Sequence, residues 1–289
     1  MEPSAVIRRS ANEMRLACER VVAAPVLLLF LLGVAFGLVG CGGSDEGQQE
    51  KESDGSTLTV LAASSLTDAF GELEATFEQQ NPGTDVRMSF GGSTELLTQL
   101  EQGAPADVFA SADEAKMDSA VEEDFASEPQ TFARNRPVVI VPIDNPAGIR
   151  ELQDLANPGA TLVLAQEGVP IAEYAKDILA NANAEYGENF EQAVLDNIVS
   201  REANVRASAN RVALGEADAT FVYVTDAASD IGERVQVIEI PQNLNVIATY
   251  PIATIKGSQN ADLAQRWVDL VLSDEGQGVL ESYGFERAS

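Results

Sequence analysis

The chain has 289 residues, 45% hydrophobic and 22% charged, an ordinary balance for a globular protein of one large or two medium domains. Its charge is not ordinary: 18 lysines and arginines face 46 aspartates and glutamates, a formal −28, which argues against nucleic acid and anionic lipid as partners. There are no histidines and two cysteines, so the commonest general base and metal ligand are missing and no disulfide framework is expected.

The chain opens with Arg15 and Arg20 followed by an uncharged apolar run, Val21 to Gly40, long enough to span a membrane. The run ends in Leu38-Val39-Gly40-Cys41, which resembles the lipobox of bacterial lipoprotein signal peptides. That resemblance implies a signal peptide over residues 1–40, cleavage before Cys41, and lipid on Cys41; the alternative is an uncleaved signal anchor. Arg8-Arg9 is a weak sign of twin-arginine export, and Met14 is an alternative start. Residues 41–57 carry no large apolar side chain and read as a flexible tether. An extracytoplasmic protein anchored to the cell membrane is expected.

From Leu58 onward, short β-rich runs alternate with runs of helical period. The strands expected are Leu58–Ala62, Val86–Phe90, Val108–Ala110, Val138–Val141, Leu162–Ala165, Thr220–Val224, Val235–Ile240 and Ile252–Ile255. Helical spacing links Leu66, Phe70, Leu73 and Phe77, then Leu96, Leu97 and Leu100, then Ile171, Ala175, Ile178 and Leu179, and finally Leu263, Trp267, Leu270 and Val271. The alternation predicts α/β architecture with mostly parallel sheets, and about 230 residues of it predicts two lobes.

Four helix starts carry free donors. Ser65-Leu-Thr-Asp68 fits a capping-box-like start, Ser93 follows Gly91-Gly92, Pro170 opens a helix with the Ile171 and Ala172 N–H groups unpaired, and Asn204 reads as an N-cap ahead of Val205. Each is explained by capping alone. Together they suit a small, fully deprotonated oxyanion, because helix N-termini offer orphan amides and the positive end of the dipole.

LAASSLTDAF, then Ser89–Asp113 with its GAPADVFASAD block, then VPIAEYAK, then Ala203–Ala227, then Tyr283–Phe285, occur in that order. The ordered set, from about Leu58 to Phe285, resembles the periplasmic molybdate-binding proteins of ABC transporters. The resemblance implies a two-lobed fold of the second periplasmic-binding-protein type. Each lobe would hold a mixed, mostly parallel sheet, and two crossover strands would form the hinge. Residues 58–137 and 249–289 would form one lobe and 138–248 the other. It also implies an oxyanion, molybdate or tungstate, held without cationic side chains by Ser65 (Ser64 is second choice), Ser93, the amides of Ile171 and Val205, and the Tyr223 hydroxyl. A permease and its ATPase are the implied partners, no cofactor is expected, and a monomer is expected. Two departures stand out: many relatives carry serine where this chain has Gly92, and glycine where it has Ala172. They leave the choice among molybdate, tungstate and sulfate open.

Two other functions compete. An extracytoplasmic hydrolase using a Ser–Lys or carboxylate pair has no supporting spacing. A receptor for phosphate or an organic anion would need an acceptor or an arginine in the site, and Arg206, beside Val205, is the candidate.

Overall fold

The computed structural model of the protein describes residues 56–288. The signal segment, Cys41 and the tether up to residue 55 lie outside the described residues. In chain order the first body contains β1 (Ser56–Ala63), α1 (Thr67–Gln80), β2 (Thr84–Gly91), α2 (Ser93–Glu101), β3 (Val108–Ala110), α3 (Glu114–Glu122) and β4 (Gln130–Asn135). The chain then passes through β5 (Pro137–Pro142), β6 (Leu162–Ala165), α4 (Pro170–Tyr186), α5 (Phe190–Asp196), β7 (Ile198–Glu202), α6 (Val205–Ala213), β8 (Thr220–Tyr223), α7 (Val224–Ala227) and β9 (Val235–Ile238). It returns through β10 (Ala248–Thr254), α8 (Ala261–Leu272), α9 (Asp274–Ser282) and β11 (Glu286–Arg287).

One sheet has the order β11-β4-β10-β3-β1-β2; the others are β8-β5-β9 and β6-β7. The first belongs to one lobe. The other two, joined by a parallel bridge from Leu162 to Ala219, belong to the second lobe. The sheets are mixed, as expected, but their antiparallel share is larger than the strand–helix alternation implies. Parallel pairing joins β1 to β2, β1 to β3, and β6 to β7. Antiparallel pairing joins β10 to β3 and β4, β11 to β4, and β5 to β8 and β9. The cause in the first sheet is the double crossing. The chain leaves that sheet through β4 and comes back through β10, which enters from the other lobe and so runs against both β3 and β4.

Ser56 and Thr57, expected in the tether, pair with Thr84 and Asp85 as the start of β1. β4, β7 and β11 carry no clear apolar alternation and were not expected from the sequence.

The site is positioned from behind by a fully buried aromatic cluster. Trp267 on α8 meets Phe70 edge-on at 5.5 Å and Phe77 at 5.4 Å, both on the inner face of α1. This fixes α1 against α8 and therefore the direction of its N-terminal end. Asn81 ends α1, its N–H donating to the Phe77 carbonyl at 2.9 Å, and Gly83 turns the chain at a φ of 89°. Trp267→Ala should lower unfolding free energy by about 3–5 kcal/mol in denaturant titration, the range for deleting a large buried aromatic. A loss below about 1 kcal/mol would show that α1 does not depend on this cluster.

Candidate functional site

The carboxyl end of β1 runs into a short 3-10 turn, Ser64–Leu66, before α1 begins. The carboxyl end of β2 runs through Gly92 into α2. From the second lobe, α4 starts at Pro170 and α6 starts at Val205, capped by Asn204, whose Oδ1 accepts from the Ala207 N–H at 3.0 Å. All four starts meet at one small, partly open cavity, lined by Ser64, Ser65, Ser93, Ile171, Val205 and Tyr223 among others. The structure thus brings together the five residues the sequence nominated for an anion. The sixth nominated position, Cys41, lies outside the described residues.

Neither serine is a helix cap. Ser65 makes no capping bond; its hydroxyl lies 2.9 Å from the Tyr250 hydroxyl. Asn135 Nδ2 donates to the Tyr250 oxygen at 3.5 Å and to Thr225 Oγ1 at 2.9 Å, while Asn135 Oδ1 accepts from the Arg136 N–H at 2.9 Å. The arrangement that satisfies every group has Tyr250 donating to Ser65, which leaves the Ser65 proton for a ligand. Ser93 is in the same state: its oxygen accepts the Ala112 N–H at 3.0 Å, so its own proton is free. Each hydroxyl oxygen accepts one bond from the protein, and its proton is left to be donated into the cavity.

The amides behave alike. The Ile171 and Val205 N–H groups sit in the first turns of their helices and find no acceptor among the described residues. The Ala172 N–H, which the sequence also left free, is taken by the Val169 carbonyl at 2.8 Å, because Val169 and Pro170 close a tight first turn.

Tyr223 completes the set. It is 1% exposed, and its hydroxyl has no hydrogen-bond partner among the described residues. Burial holds the phenol well above its ordinary value, with Tyr250 and Tyr174 adding to the effect, so it stays protonated as a donor. Edge-on contacts with Tyr174 at 6.3 Å and Tyr250 at 5.7 Å fix the ring.

Arg206, the cation the sequence pointed to, does not line the cavity. Its Nη2 lies 2.6 Å from Asp68 Oδ2 and its Nε 2.7 Å from Asp226 Oδ1. Burial alone lowers the guanidinium, but the carboxylates of Asp226 and Asp68 outweigh it and raise it. The cavity is therefore lined by neutral groups that donate. Each helix N-terminus carries about half a positive charge, so four of them amount to about two, which matches a dianion.

The two lobes are in direct contact around this cavity. Thr94 Oγ1 on α2 donates to the Gly168 carbonyl, which a φ of 82° at Gly168 turns toward it. Tyr174 on α4 donates to the Ala112 carbonyl at 3.3 Å. A Cβ on Gly92 would stand 2.8 Å from the Ala203 carbonyl oxygen across the cleft, so a side chain there would hold the lobes apart. Sequence reasoning missed Tyr250, Asn135 and Asp226. They orient the donors from positions far along the chain, and no local pattern marks them.

Residues 58–286 match the family model described as bacterial extracellular solute-binding protein. The chain is 36% identical over 254 residues to the molybdate-binding protein ModA of Mycobacterium tuberculosis strain H37Rv, covering 87% of this chain and 93% of that one. It is 31% identical over 264 residues to ModA of Escherichia coli K12, with 87% and 94% covered. Among solved structures, the periplasmic molybdate-binding protein of Azotobacter vinelandii matches with a TM-score of 0.68 at 21% identity, over 80% of this chain and 100% of that one. The sulfate-binding protein SubI of M. tuberculosis H37Rv matches with a TM-score of 0.72 at 19% identity, over 81% and 88%. Both structural likenesses show the periplasmic-binding-protein fold.

Two outcomes follow from the donor geometry. Tyr223→Phe removes a buried hydroxyl that the protein does not satisfy, so stability without ligand should hold or rise, while anion affinity falls by about 1–3 kcal/mol. A variant that loses stability and keeps affinity would place the hydroxyl outside the site. The second outcome concerns Asp226. Burial pushes its carboxyl up to about 6, against Arg206 and the Tyr223 N–H, which lower it. Its folded value lies above the ordinary 3.8, so the stability it contributes is complete below that value and is lost as pH rises through about 6. Between about pH 5 and about pH 7.5 the wild-type melting temperature should therefore fall more than that of Asp226→Asn. Equal changes would contradict the shift.

Proposed function

The chain belongs to the bacterial extracellular solute-binding proteins, and from that premise we propose that it captures molybdate outside the cytoplasm and delivers it to an ABC transporter. The observation that carries this reading is the buried Tyr223 hydroxyl with no protein acceptor, set among hydroxyls and amides whose protons are also free. A fully deprotonated tetrahedral anion only accepts hydrogen bonds, so it satisfies every one of these donors at once. A protonated phosphate brings a donor of its own, and the cavity lining holds no carboxylate to take it. Molybdate is preferred over sulfate because the curated relatives at 36% and 31% identity are molybdate-binding proteins. Tungstate, with the same charge and shape, is the second ligand.

The ligand is carried and not transformed. No histidine exists in the chain, and the cavity lining holds neither a carboxylate nor a lysine to move protons. The protein works as a monomer, tethered through lipid on Cys41, and its cargo passes to a permease driven by an ATPase. The lobes, residues 58–137 with 249–289 and residues 138–248, close about the β4–β5 and β9–β10 crossings, where Asn245 Nδ2 donates to the Pro137 carbonyl at 2.9 Å.

Calorimetry and thermal shift with molybdate, tungstate, sulfate and phosphate in parallel test the reading. Molybdate at about 100 times its Kd should add about 2.7 kcal/mol of stability, and phosphate should add none. Ser65→Ala and Ser93→Ala should each weaken molybdate binding by about 1–3 kcal/mol. No response to molybdate or tungstate would overturn the function. An intact affinity in both serine variants would overturn the site.

A further inference from the structure

Arg206 bridges the two lobes, and what it bridges is the anion site itself. On one side its guanidinium meets Asp68, the second residue of α1 and three residues after Ser65. On the other it meets Asp226, which is fully buried and whose Oδ2 accepts the Tyr223 N–H at 3.1 Å. Arg206 itself directly follows Val205, the donor at the start of α6. One side chain is therefore tied to the segments that carry Ser65, Val205 and Tyr223. It comes no closer to the anion than that, and its charge is matched by two carboxylates.

We propose that Arg206 is a positioning residue that clamps the closed cleft, so that it sets how slowly a bound anion leaves and not how fast one enters. The clamp rests on the anion-binding reading above. The geometry supports the assignment in three ways. The Arg206 side chain is 18% exposed and that of Asp68 37%, so the contact is shielded enough to persist and open enough to break when the lobes part. Asp226 stays with Arg206 inside the second lobe, so an opening cleft leaves the arginine partnered and not orphaned. Only the Asp68 contact crosses between lobes, which makes it the separable half. Charge pairs shielded from solvent act on dissociation, while exposed rim charges act on association.

The test uses the full chain and the substitution Asp68→Asn, which keeps shape and removes the charge at a partly exposed position. Wild type and variant should melt within about 2 °C of one another without ligand, as for a surface substitution. Release of labelled molybdate into excess unlabelled molybdate should be about tenfold faster in the variant, with the association rate changed less than about twofold. Arg206→Lys, which reaches one carboxylate but not both, should also release faster, and adding Asp68→Asn to it should change release little further. An unchanged release rate would overturn the clamp, and so would a slowed association with normal release, which would make the pair a steering charge. Amide hydrogen exchange without ligand decides the matter even if wild type binds none of the anions. The hydrogen-bonded amides that follow the first turn in Val205–Ala213 and Thr67–Gln80 should exchange several-fold faster in Asp68→Asn, and equal exchange would overturn the clamp. Failure of the wild type to bind molybdate would overturn the function reading alone.

Discussion

The Tyr223 hydroxyl is buried at the cleft between two lobes, and the protein offers it no acceptor among the described residues. A buried donor left unmade costs about 1–3 kcal/mol, so the arrangement persists because the surrounding packing imposes it and a ligand repays it. The ring is wedged between Tyr174 and Tyr250, and its backbone N–H is tied to Asp226. Around it, Ser65 and Ser93 have their oxygens occupied by Tyr250 and Ala112, which forces their protons outward. The same rule governs the amides of Ile171 and Val205, stranded by their position in a first helical turn. Several protons free for donation at one point, with no carboxylate in the lining, is the constraint from which the proposed ligand class follows.

On the proposed reading, this is how a protein with a formal charge of −28 would hold an anion. The acidic surface opposes long-range approach, yet beyond about 8–10 Å its field is screened by salt. At contact the aligned amides dominate. The Arg206 guanidinium is spent on Asp68 and Asp226, so it serves the geometry of the cleft and leaves the ligand to neutral donors. A fixed cation in the cavity would bind any small anion strongly. Dipoles and hydroxyls aimed at one centre instead reward a tetrahedral ion without protons.

Much of the site was legible in the sequence because its donors sit at strand-to-helix junctions, which periodicity locates. Ser65, Ser93, Ile171, Val205 and Tyr223 each follow an apolar strand or open an amphipathic helix, and the ordered family blocks told which junctions share a site. Their convergence was not legible, since it depends on how two lobes meet. The serines were read both as caps and as oxyanion donors, and the capping half does not hold: Ser65 turns to Tyr250, 185 residues away, and Ser93 to Ala112. Strands β4 and β7 escaped notice because they alternate weakly, QTFARN and IVSRE, and are held in place by neighbours rather than by their own pattern. The antiparallel pairing of β10 reflects the chain's return from the second lobe, a topological fact that no local window contains.

The most direct measurement is a crystal structure of the protein grown with molybdate. Tetrahedral density is expected in the cavity with oxygens at hydrogen-bond distance from the Ser65, Ser93 and Tyr223 hydroxyls and from the Ile171 and Val205 amides, while Arg206 stays on Asp68 and Asp226. Density elsewhere, or an Arg206 that leaves its carboxylates to contact the anion, would contradict it.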